Sequence, residues 1–307
     1  MKLLDFLILL VLFCLLGGSV YLLYNNLPTE PMNFENYEFE GKSELNSNSI
    51  QFYSNMRYRD RTISFAISNS CDEKTRSNAL KAFSMIDEKS IITFYEEKTF
   101  SNAEITILCS DIAPKPEEEG HFVAGEGGPS EVINNTNFAV IFSGRVSLFR
   151  ANECDEPIVA IHEILHALGF DHNNNSDSIM YPLTKCAQKI DDYIIDSINL
   201  LYKFDSVSDI LIEKVKAQKI GRYLGFEVTI SNFGLKDSNS AELFIETDEE
   251  IIKSFEIESI EIGTRRILTV ENLRIPRDSS IIFFKLKYPE PELDKNNNNI
   301  EVKLLPA

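Results

Sequence analysis

Residues 162 to 172 constrain this chain more than any other stretch, because they place three histidines at fixed spacing around one glycine. The run reads His-Glu-Ile-Leu-His-Ala-Leu-Gly-Phe-Asp-His, and it holds three of the four histidines among 307 residues. On a helix, residues four apart share one face and lie one turn apart. The first two histidines, His162 and His166, are therefore predicted to point from one helix toward the same point.

The third histidine, His172, follows His166 by six residues and cannot share its helix face. The chain has to turn sharply, and Gly169 is the residue that can adopt a positive φ and end the helix. Three imidazole nitrogens bind zinc at about 2.0–2.1 Å and leave the fourth tetrahedral position open, as a catalytic site requires. We predict that His162, His166 and His172 hold one zinc ion. Glu163 is predicted to be the general base for zinc-bound water.

Together with Ser178-Ile179-Met180-Tyr181-Pro182, the histidine run resembles the signature of the metzincins, a group of zinc-dependent endopeptidases. The resemblance extends over roughly residues 58–204. It implies an α+β domain with a twisted mixed β-sheet and three helices. It also implies that Met180 forms the Met-turn beneath the metal.

The order Met-Tyr-Pro is similar to that of the matrixin subgroup. In astacin-like enzymes the tyrosine stands two places after the methionine and reaches the metal, whereas Tyr181 follows directly. The resemblance therefore implies that Tyr181, Pro182 and Leu183 line the primed-side specificity pocket. Matrixins often hold a second zinc through several earlier histidines, but only His121 is available here. We expect one zinc ion per chain, and we find no EF-hand-like loop to support calcium.

A glycine-rich segment, residues 120–128, precedes the strand predicted at Phe138–Phe149. In metzincins the strand at this place lies antiparallel at the sheet edge and pairs with substrate through backbone hydrogen bonds. The resemblance thus implies that the backbone near Val123 and Ala124 binds substrate. A plain loop is an equally good interpretation of the glycines.

The net charge of −18 argues against nucleic acid as a partner, because phosphate binding needs a basic face. The expected partners are a protein or peptide substrate and, through the N-terminus, a membrane. The apolar run from Phe6 to Tyr24 has nineteen residues, which span about 28 Å of helix, close to a bilayer core. We favour a signal anchor over residues 1–24 with the N-terminus inside and the catalytic domain extracytoplasmic. The alternative is a signal peptide cleaved near Gly17-Gly18-Ser19, which would give a secreted protein.

Four cysteines lie beyond the apolar run, and an even number in an exported domain indicates two disulfides with three possible pairings. Cys71 and Cys109 each follow a predicted strand. Cys154 precedes the zinc helix, and Cys186 follows the methionine turn. We favour the pairs Cys71–Cys109 and Cys154–Cys186; reduced thiols are the alternative.

Four regions follow from the composition along the chain: the anchor at 1–24, a polar stalk or linker at 25–57, the peptidase domain at 58–205 and a β-rich domain at 208–307. The peptidase domain is predicted to begin as strand, helix, strand, which implies parallel pairing. Its predicted elements are strand Arg61–Ser68, helix Asp72–Lys89, strands Ile91–Tyr95 and Ala103–Leu108, and a final helix Ile190–Tyr202.

Beyond residue 208, short apolar runs alternate with turn signals, a spacing typical of a β-sandwich of about 100 residues. The stretches 228–234 and 292–299 resemble CARDB-like modules of the immunoglobulin type. The predicted strands are Leu224–Asn232, Ala241–Glu246, Ile251–Ile257, Arg266–Val270, Ile281–Tyr288 and Ile300–Leu304.

The intact ligand set with Glu163 and Met180 favours a membrane-anchored zinc metalloendopeptidase. One alternative is a non-catalytic surface binding protein that uses the β-sandwich, with the zinc fold as scaffold. Another is a zinc hydrolase that acts on a non-peptide amide.

Overall fold

The computed structural model describes residues 3–26, 30–40, 50–115, 122–149, 154–248 and 250–305. The predicted stalk is therefore described only in part, and His121 lies outside the described residues. The helices are α1 (Leu3–Asn26), α2 (Glu73–Asp87), α3 (Ile158–Ala167) and α4 (Asp192–Leu201). The strands are β1 (Met32–Asn33), β2 (Tyr37–Glu38), β3 (Met56–Tyr58), β4 (Thr62–Ile67), β5 (Thr93–Glu96), β6 (Ile105–Cys109), β7 (Gly125–Asn134), β8 (Ala139–Leu148), β9 (Ile210–Ile220), β10 (Tyr223–Asn232), β11 (Ala241–Glu246), β12 (Ile251–Ile257), β13 (Arg265–Arg274), β14 (Ile281–Lys287) and β15 (Asn299–Lys303).

A mixed sheet in the order β3-β8-β6-β4-β5 forms the first domain, with β7 antiparallel to β8 on the far side. The other pairings are parallel, including β4 with β5, which α2 connects. Helix α2 begins where the Asp72 side chain accepts a hydrogen bond from the Thr75 N–H, and it buries Ala79, Phe83 and Ile86. Every side chain of α3 is buried. This helix lies inside the domain, so its polar residues need partners there.

Two disulfides join elements of this domain. Cys71 is bonded to Cys109, at the ends of the parallel strands β4 and β6. Cys154 is bonded to Cys186 and so links the entrance of α3 to the chain beyond Met180. Among the described residues, the remaining cysteine is Cys14 of α1.

Two sheets pack face to face to form the second domain. One has the order β1-β9-β10-β13, with β2 also on β9, and the other has the order β12-β11-β14-β15. Inward-facing side chains alternate along the strands, as in β14 and β11, and form one core. Strand β9 was absent from our sequence prediction. Its lysine-rich second half hides the alternation.

The stalk prediction needs correction for residues 30–40. Met32 pairs with Lys219 and Tyr37 with Val215, both on β9, so this segment adds two short strands to the sandwich. Phe34 is only 1% exposed and belongs to the sandwich core. The polar residues around these three apolar side chains gave the segment the composition of a linker. Burial of Phe34 supplies the free energy that orders it.

The two domains meet at the turn between β7 and β8. The Asn137 side-chain amide donates to Asp209 Oδ2 at 2.9 Å, and that of Asn135 donates to the Gly234 carbonyl at 3.2 Å. Phe138 and Val140 of the sheet form a buried cluster with sandwich residues. The sandwich partners in this cluster are Leu235 and Ile262.

Candidate metal centre

Helix α3 carries His162 and His166 on one face, and the chain reverses immediately after it. Gly169 has φ +96°, as the sequence predicted. A Cβ at this glycine would lie 2.6 Å from Cγ of Met56, so a larger residue is excluded by space as well as by backbone conformation. The reversal brings His172 back toward the helix.

The three histidines place their Nε2 atoms at the corners of a nearly equilateral triangle. The sides measure 3.0 Å between His162 and His166, 3.1 Å between His166 and His172, and 3.2 Å between His162 and His172. Three nitrogens that bind one tetrahedral zinc at 2.0–2.1 Å lie about 3.3–3.4 Å apart. The observed sides are shorter by only a few tenths of an ångström.

The remaining nitrogens of the two helical histidines fix their tautomers. His162 Nδ1 lies 2.6 Å from the carbonyl oxygen of Ile179, and His166 Nδ1 lies 2.7 Å from that of Phe170. A carbonyl only accepts, so each Nδ1 carries the proton and each Nε2 presents a lone pair. Two lone pairs that face each other at 3.0 Å repel unless a cation lies between them. The donor set therefore fits a metal ion, and the Nδ1 hydrogen bonds of His162 and His166 are of the kind that orient metal-ligating histidines.

Burial keeps these imidazoles neutral, as metal ligands must be. It lowers the pKa of His162 to about 3, with a further contribution from the charge of His166. It lowers the pKa of His166 to about 4 and shifts the pKa of the more exposed His172 in the same direction.

The turn around Met180 packs in the same core as α3 and contacts His162 through its backbone. Met180 and Ile179 are completely buried, and the Ile179 carbonyl is the acceptor for His162. The turn is held by the Asn173 N–H, which donates to the Met180 carbonyl at 2.9 Å. It is also held by the Ser178 hydroxyl, which donates to Asp191. The sequence placed Met180 beneath the metal, and here it belongs to the same core as α3.

Glu163 lies beneath the edge strand β7, and two glycines allow this approach. A Cβ at Gly125 would lie 2.9 Å from Glu163 Oε1, and one at Gly127 would lie 2.1 Å from the Glu163 carbonyl oxygen. Burial raises the pKa of Glu163 to about 8, and the negative charge of Glu126 adds to the shift. Residues 125–128 of the glycine-rich segment thus belong to a strand that packs on α3, antiparallel to β8.

The predicted substrate-binding residues take different positions. Val123 and Ala124 directly precede β7, and the Ala124 carbonyl already accepts a hydrogen bond from the Phe149 N–H at 2.9 Å. Tyr181 is half-buried, whereas Pro182 and Leu183 are exposed. The structure thus leaves Leu183 and Pro182 at the surface next to the methionine turn.

One aromatic contact at the site was missed in the sequence. The Phe52 ring stacks on His166, with centroids 5.7 Å apart and planes inclined by 28°. The Phe52 N–H donates to the Gly169 carbonyl at 3.1 Å, and the Asp171 N–H donates to the Ile50 carbonyl at 3.1 Å. These residues fell within the predicted stalk. The sequence feature that could have identified them is the cluster of large apolar residues Ile50, Phe52 and Tyr53 inside a polar segment.

In a comparison with known protein families, residues 57–203 match the family model described as Matrixin, peptidase M10. Over 157 residues the chain is 29% identical to the metalloendoproteinase 2-MMP of Arabidopsis thaliana. The matched stretch covers 47% of this chain and 41% of that protein, so the chain spans about two fifths of the length of this curated relative. A solved CARDB domain from Pyrococcus furiosus, in complex with di-metal ions, aligns at 18% identity with a TM-score of 0.26. That alignment covers 31% of this chain and 87% of that domain.

Proposed function

We propose that this chain, whose residues 57–203 form a matrixin-like domain, is a zinc-dependent metalloendopeptidase. The observation that carries the proposal is the triangle formed by the three Nε2 atoms of His162, His166 and His172. Glu163 lies on α3 next to the first of these histidines. His162, His166 and His172 would hold the zinc ion. When bound there, zinc acts as a Lewis acid that polarises a carbonyl and lowers the pKa of water.

Glu163 is the general base in this proposal. Its carboxylate takes a proton from the attacking water and later delivers it to the leaving amine. Its burial beneath β7 excludes bulk water from the carboxyl group. The positive charge of a zinc ion at the histidines would favour the ionised form of this carboxyl group, which a base requires. The hydrogen bonds from His162 and His166 to backbone carbonyls orient the two imidazoles, and Met180 supports the turn below them.

The substrate is proposed to be an extended protein or peptide segment that pairs with the chain entering β7 near Val123 and Ala124. The outer edge of β7 lacks a partner strand among the described residues, because β7 pairs only with β8. An extended peptide can add to such an edge. The surface formed by Tyr181, Pro182 and Leu183 is the candidate primed-side pocket.

The proposed location is outside the cytoplasm with a membrane anchor. Helix α1 contains one apolar stretch, Phe6–Tyr24, with mean hydropathy 2.7 and no residue buried. Two disulfides in the peptidase domain are typical of an oxidising compartment. Cleavage of this segment as a signal peptide would instead release the protein, and the N-terminal sequence of the mature protein decides between the two.

The test compares three forms of the full chain in a peptide-library cleavage assay: the natural sequence, Glu163→Ala and Glu271→Ala. Glu271 lies exposed on β13 of the sandwich, outside the domain that holds the metal centre, so it controls for the loss of one acid. We expect chelator-sensitive cleavage that Glu163→Ala reduces by about 10²–10⁴-fold, with one zinc ion per chain retained.

Loss of zinc in Glu163→Ala, or cleavage that survives it, would contradict the general-base role. One zinc ion per chain with no cleavage in any form would favour the surface binding protein.

A further inference from the structure

We infer that the β-sandwich is a pedestal: one end rests on the bilayer and the other holds the peptidase domain at a fixed height above it. This inference rests on the membrane anchoring proposed above. The pedestal is defined here as strands β9 to β15 with the segment 30–40.

The length of chain between anchor and sandwich fixes which end faces the membrane. Helix α1 ends at Asn26, and Met32 already pairs with Lys219 near the end of β9. The five residues between them can span at most about 20 Å even when fully extended. The turn after β9 therefore lies close to the bilayer surface. Arg277 also donates to the Tyr24 carbonyl near the end of α1, and its guanidinium lies 4.6 Å from the Tyr24 ring.

The same end of the sandwich carries its exposed apolar side chains. The turn from β9 to β10, the loop from β13 to β14, the turn from β11 to β12 and the segment after β15 all lie at this end, as the strand register requires. Among the described residues of the sandwich, five large apolar side chains are exposed, and four belong to this end. These four are Ile220 at 40%, Tyr223 at 45%, Ile251 at 60% and Leu305 at 45% exposure.

A bilayer is the occupant that suits this surface. Tyrosine and arginine are favoured at the membrane–water interface, where the apolar part of the side chain is buried and the polar tip stays hydrated. Arg222 precedes Tyr223, Arg274 is its strand partner on β13, and Arg277 lies in the loop from β13 to β14. Asp248 and Glu250 lie in the turn from β11 to β12 at the same end. Because the charges are mixed, the contact depends mainly on the apolar and aromatic side chains.

The opposite end of the same strands bears the peptidase domain. Strand β9 runs from Ile210, next to the Asp209–Asn137 hydrogen bond, to Ile220 at the membrane end. Its eleven residues measure about 35 Å. The β7–β8 turn docks there, and a Cβ at Gly263 would lie 2.4 Å from Cγ2 of Ile133, which shows how closely the two domains approach. The substrates implied are soluble proteins or membrane proteins whose cleavage site stands tens of ångströms above the bilayer.

The first test uses tryptophan fluorescence, because the chain contains no tryptophan. The full chain with Tyr223→Trp, Ile251→Trp or Ile267→Trp is placed in nanodiscs made with or without brominated lipid. Ile267 is equally exposed but lies six or seven residues up the sheet, about 20 Å from the membrane end. We expect brominated lipid to quench the two reporters at the membrane end at least about two-fold and to leave the Ile267→Trp reporter unchanged. No quenching at position 223 or 251, or equal quenching at all three, would overturn the inference.

The second test measures reach. One cleavable peptide is presented in solution, or on a separate transmembrane helix through a spacer of about 5 or about 30 residues, which reach at most about 17 Å and 100 Å. We expect the soluble and long-spacer peptides to be cleaved and the short-spacer peptide to be cleaved at least about 10-fold more slowly. Equal cleavage of all three would overturn the pedestal. If even the soluble peptide is not cleaved, the proposed peptidase activity fails, and the fluorescence measurement still decides whether the sandwich rests on the bilayer.

Discussion

At the scale of single residues, the most informative positions are the glycines that let β7 lie on α3. A Cβ at Gly127 would fall 2.1 Å from the Glu163 carbonyl oxygen, whereas a Cβ at the adjacent Gly128 meets nothing within 4 Å. We predict that Gly127→Ala displaces the strand from α3. We expect it to lower the free energy of unfolding by about 1–3 kcal/mol and kcat/KM by more than about 10-fold.

Gly128→Ala is the matched control, since it makes the same substitution on the same strand into open space. We expect it to change the free energy of unfolding by less than about 0.5 kcal/mol. Peptide cleavage and urea unfolding on both variants make the measurement. Equal effects would mean that strand flexibility, rather than contact with Glu163, accounts for the glycines.

The ionisable residues of the metal-free site make opposing contributions to stability as pH changes. The pKa values of His162 and His166 fall from 6.5 to about 3 and about 4 on folding, so below pH 6.5 the unfolded state binds more protons and stability is lost as pH falls. The pKa of Glu163 rises from 4.5 to about 8, so above pH 4.5 the folded state binds more protons and stability is lost as pH rises. Between pH 4.5 and 6.5 the two histidines outweigh the one glutamate.

We therefore predict that His162, His166 and Glu163 together stabilise the chelated peptidase domain most near pH 6.5. Burial also raises the pKa of Glu292, to about 7, but that residue lies in the sandwich. The profile is therefore measured from pH 4 to pH 9 in chelator by hydrogen exchange of α3, which reports on the peptidase domain alone. In Glu163→Gln the decline between pH 6.5 and 8 should disappear, while the decline below pH 6.5 should remain. A profile that is flat below pH 6.5 in both proteins would contradict the burial-driven shifts of the histidine pKa values.

At the scale of elements, each disulfide of the peptidase domain supports a different part of it. Cys154–Cys186 links the entrance of α3 to the segment after Met180, and both flank the ligand set. Cys71–Cys109 joins the ends of β4 and β6 and does not flank the ligand set in the sequence. We predict that replacing either pair with serine lowers the free energy of unfolding by about 2–4 kcal/mol. Only loss of Cys154–Cys186 should also weaken zinc binding.

We would measure zinc affinity and thermal unfolding of the two double variants and compare them. Each double variant is the control for the other. The similar sequence separations, 32 and 38 residues, imply similar effects on the unfolded chain. A difference in zinc affinity would thus reflect the folded site. Equal zinc affinity would show that the metal centre does not depend on the bond near α3.

The sequence predicted those elements whose apolar periodicity survives in short windows. Helix α2 was found within about two residues at each end, and β11 and β12 were found with their bounds, because alternation or helical spacing is regular there. Strand β3 was missed because Arg57 stands at its centre. That side chain is fully buried and donates to the carbonyls of Leu201 and Phe204, which lie more than 140 residues away.

The residues of the candidate site also fall into those that the sequence predicts and those that it does not. The ligands and Glu163 follow from spacing within eleven residues, which a helix and one turn dictate. Phe52 could not be assigned to His166, since only the folded chain brings a segment more than 100 residues upstream against the turn at Gly169. Long-range contacts of this kind leave no periodic mark in the sequence.

At the scale of the whole molecule, the peptidase domain is an insertion within the sandwich rather than a neighbour of it. The chain leaves α1, contributes β1 and β2 to the sandwich, forms the peptidase domain and then returns to complete the sandwich from β9 onward. Both ends of the peptidase domain are thus attached to one β-structure. This topology restricts rotation of that domain more than a single linker would.

Phe34 tests this arrangement, because it belongs to the N-terminal segment in sequence and to the sandwich core in space. It is 1% exposed, and its N–H donates to the Ala217 carbonyl at 3.0 Å. We predict that Phe34→Ala lowers the free energy of unfolding of the sandwich by about 3–5 kcal/mol and leaves zinc affinity unchanged. Glu35→Ala, an exposed change one residue away, should have an effect within about 0.5 kcal/mol. Hydrogen exchange of the full chain resolves the two domains: Phe34→Ala should accelerate exchange in β9, β10 and β14 but not in α3. Unchanged protection of β9 would mean that residues 30–40 lie on the sandwich without stabilising it. The peptidase domain would then be covalently linked to the stable part of the sandwich only through the chain before β9.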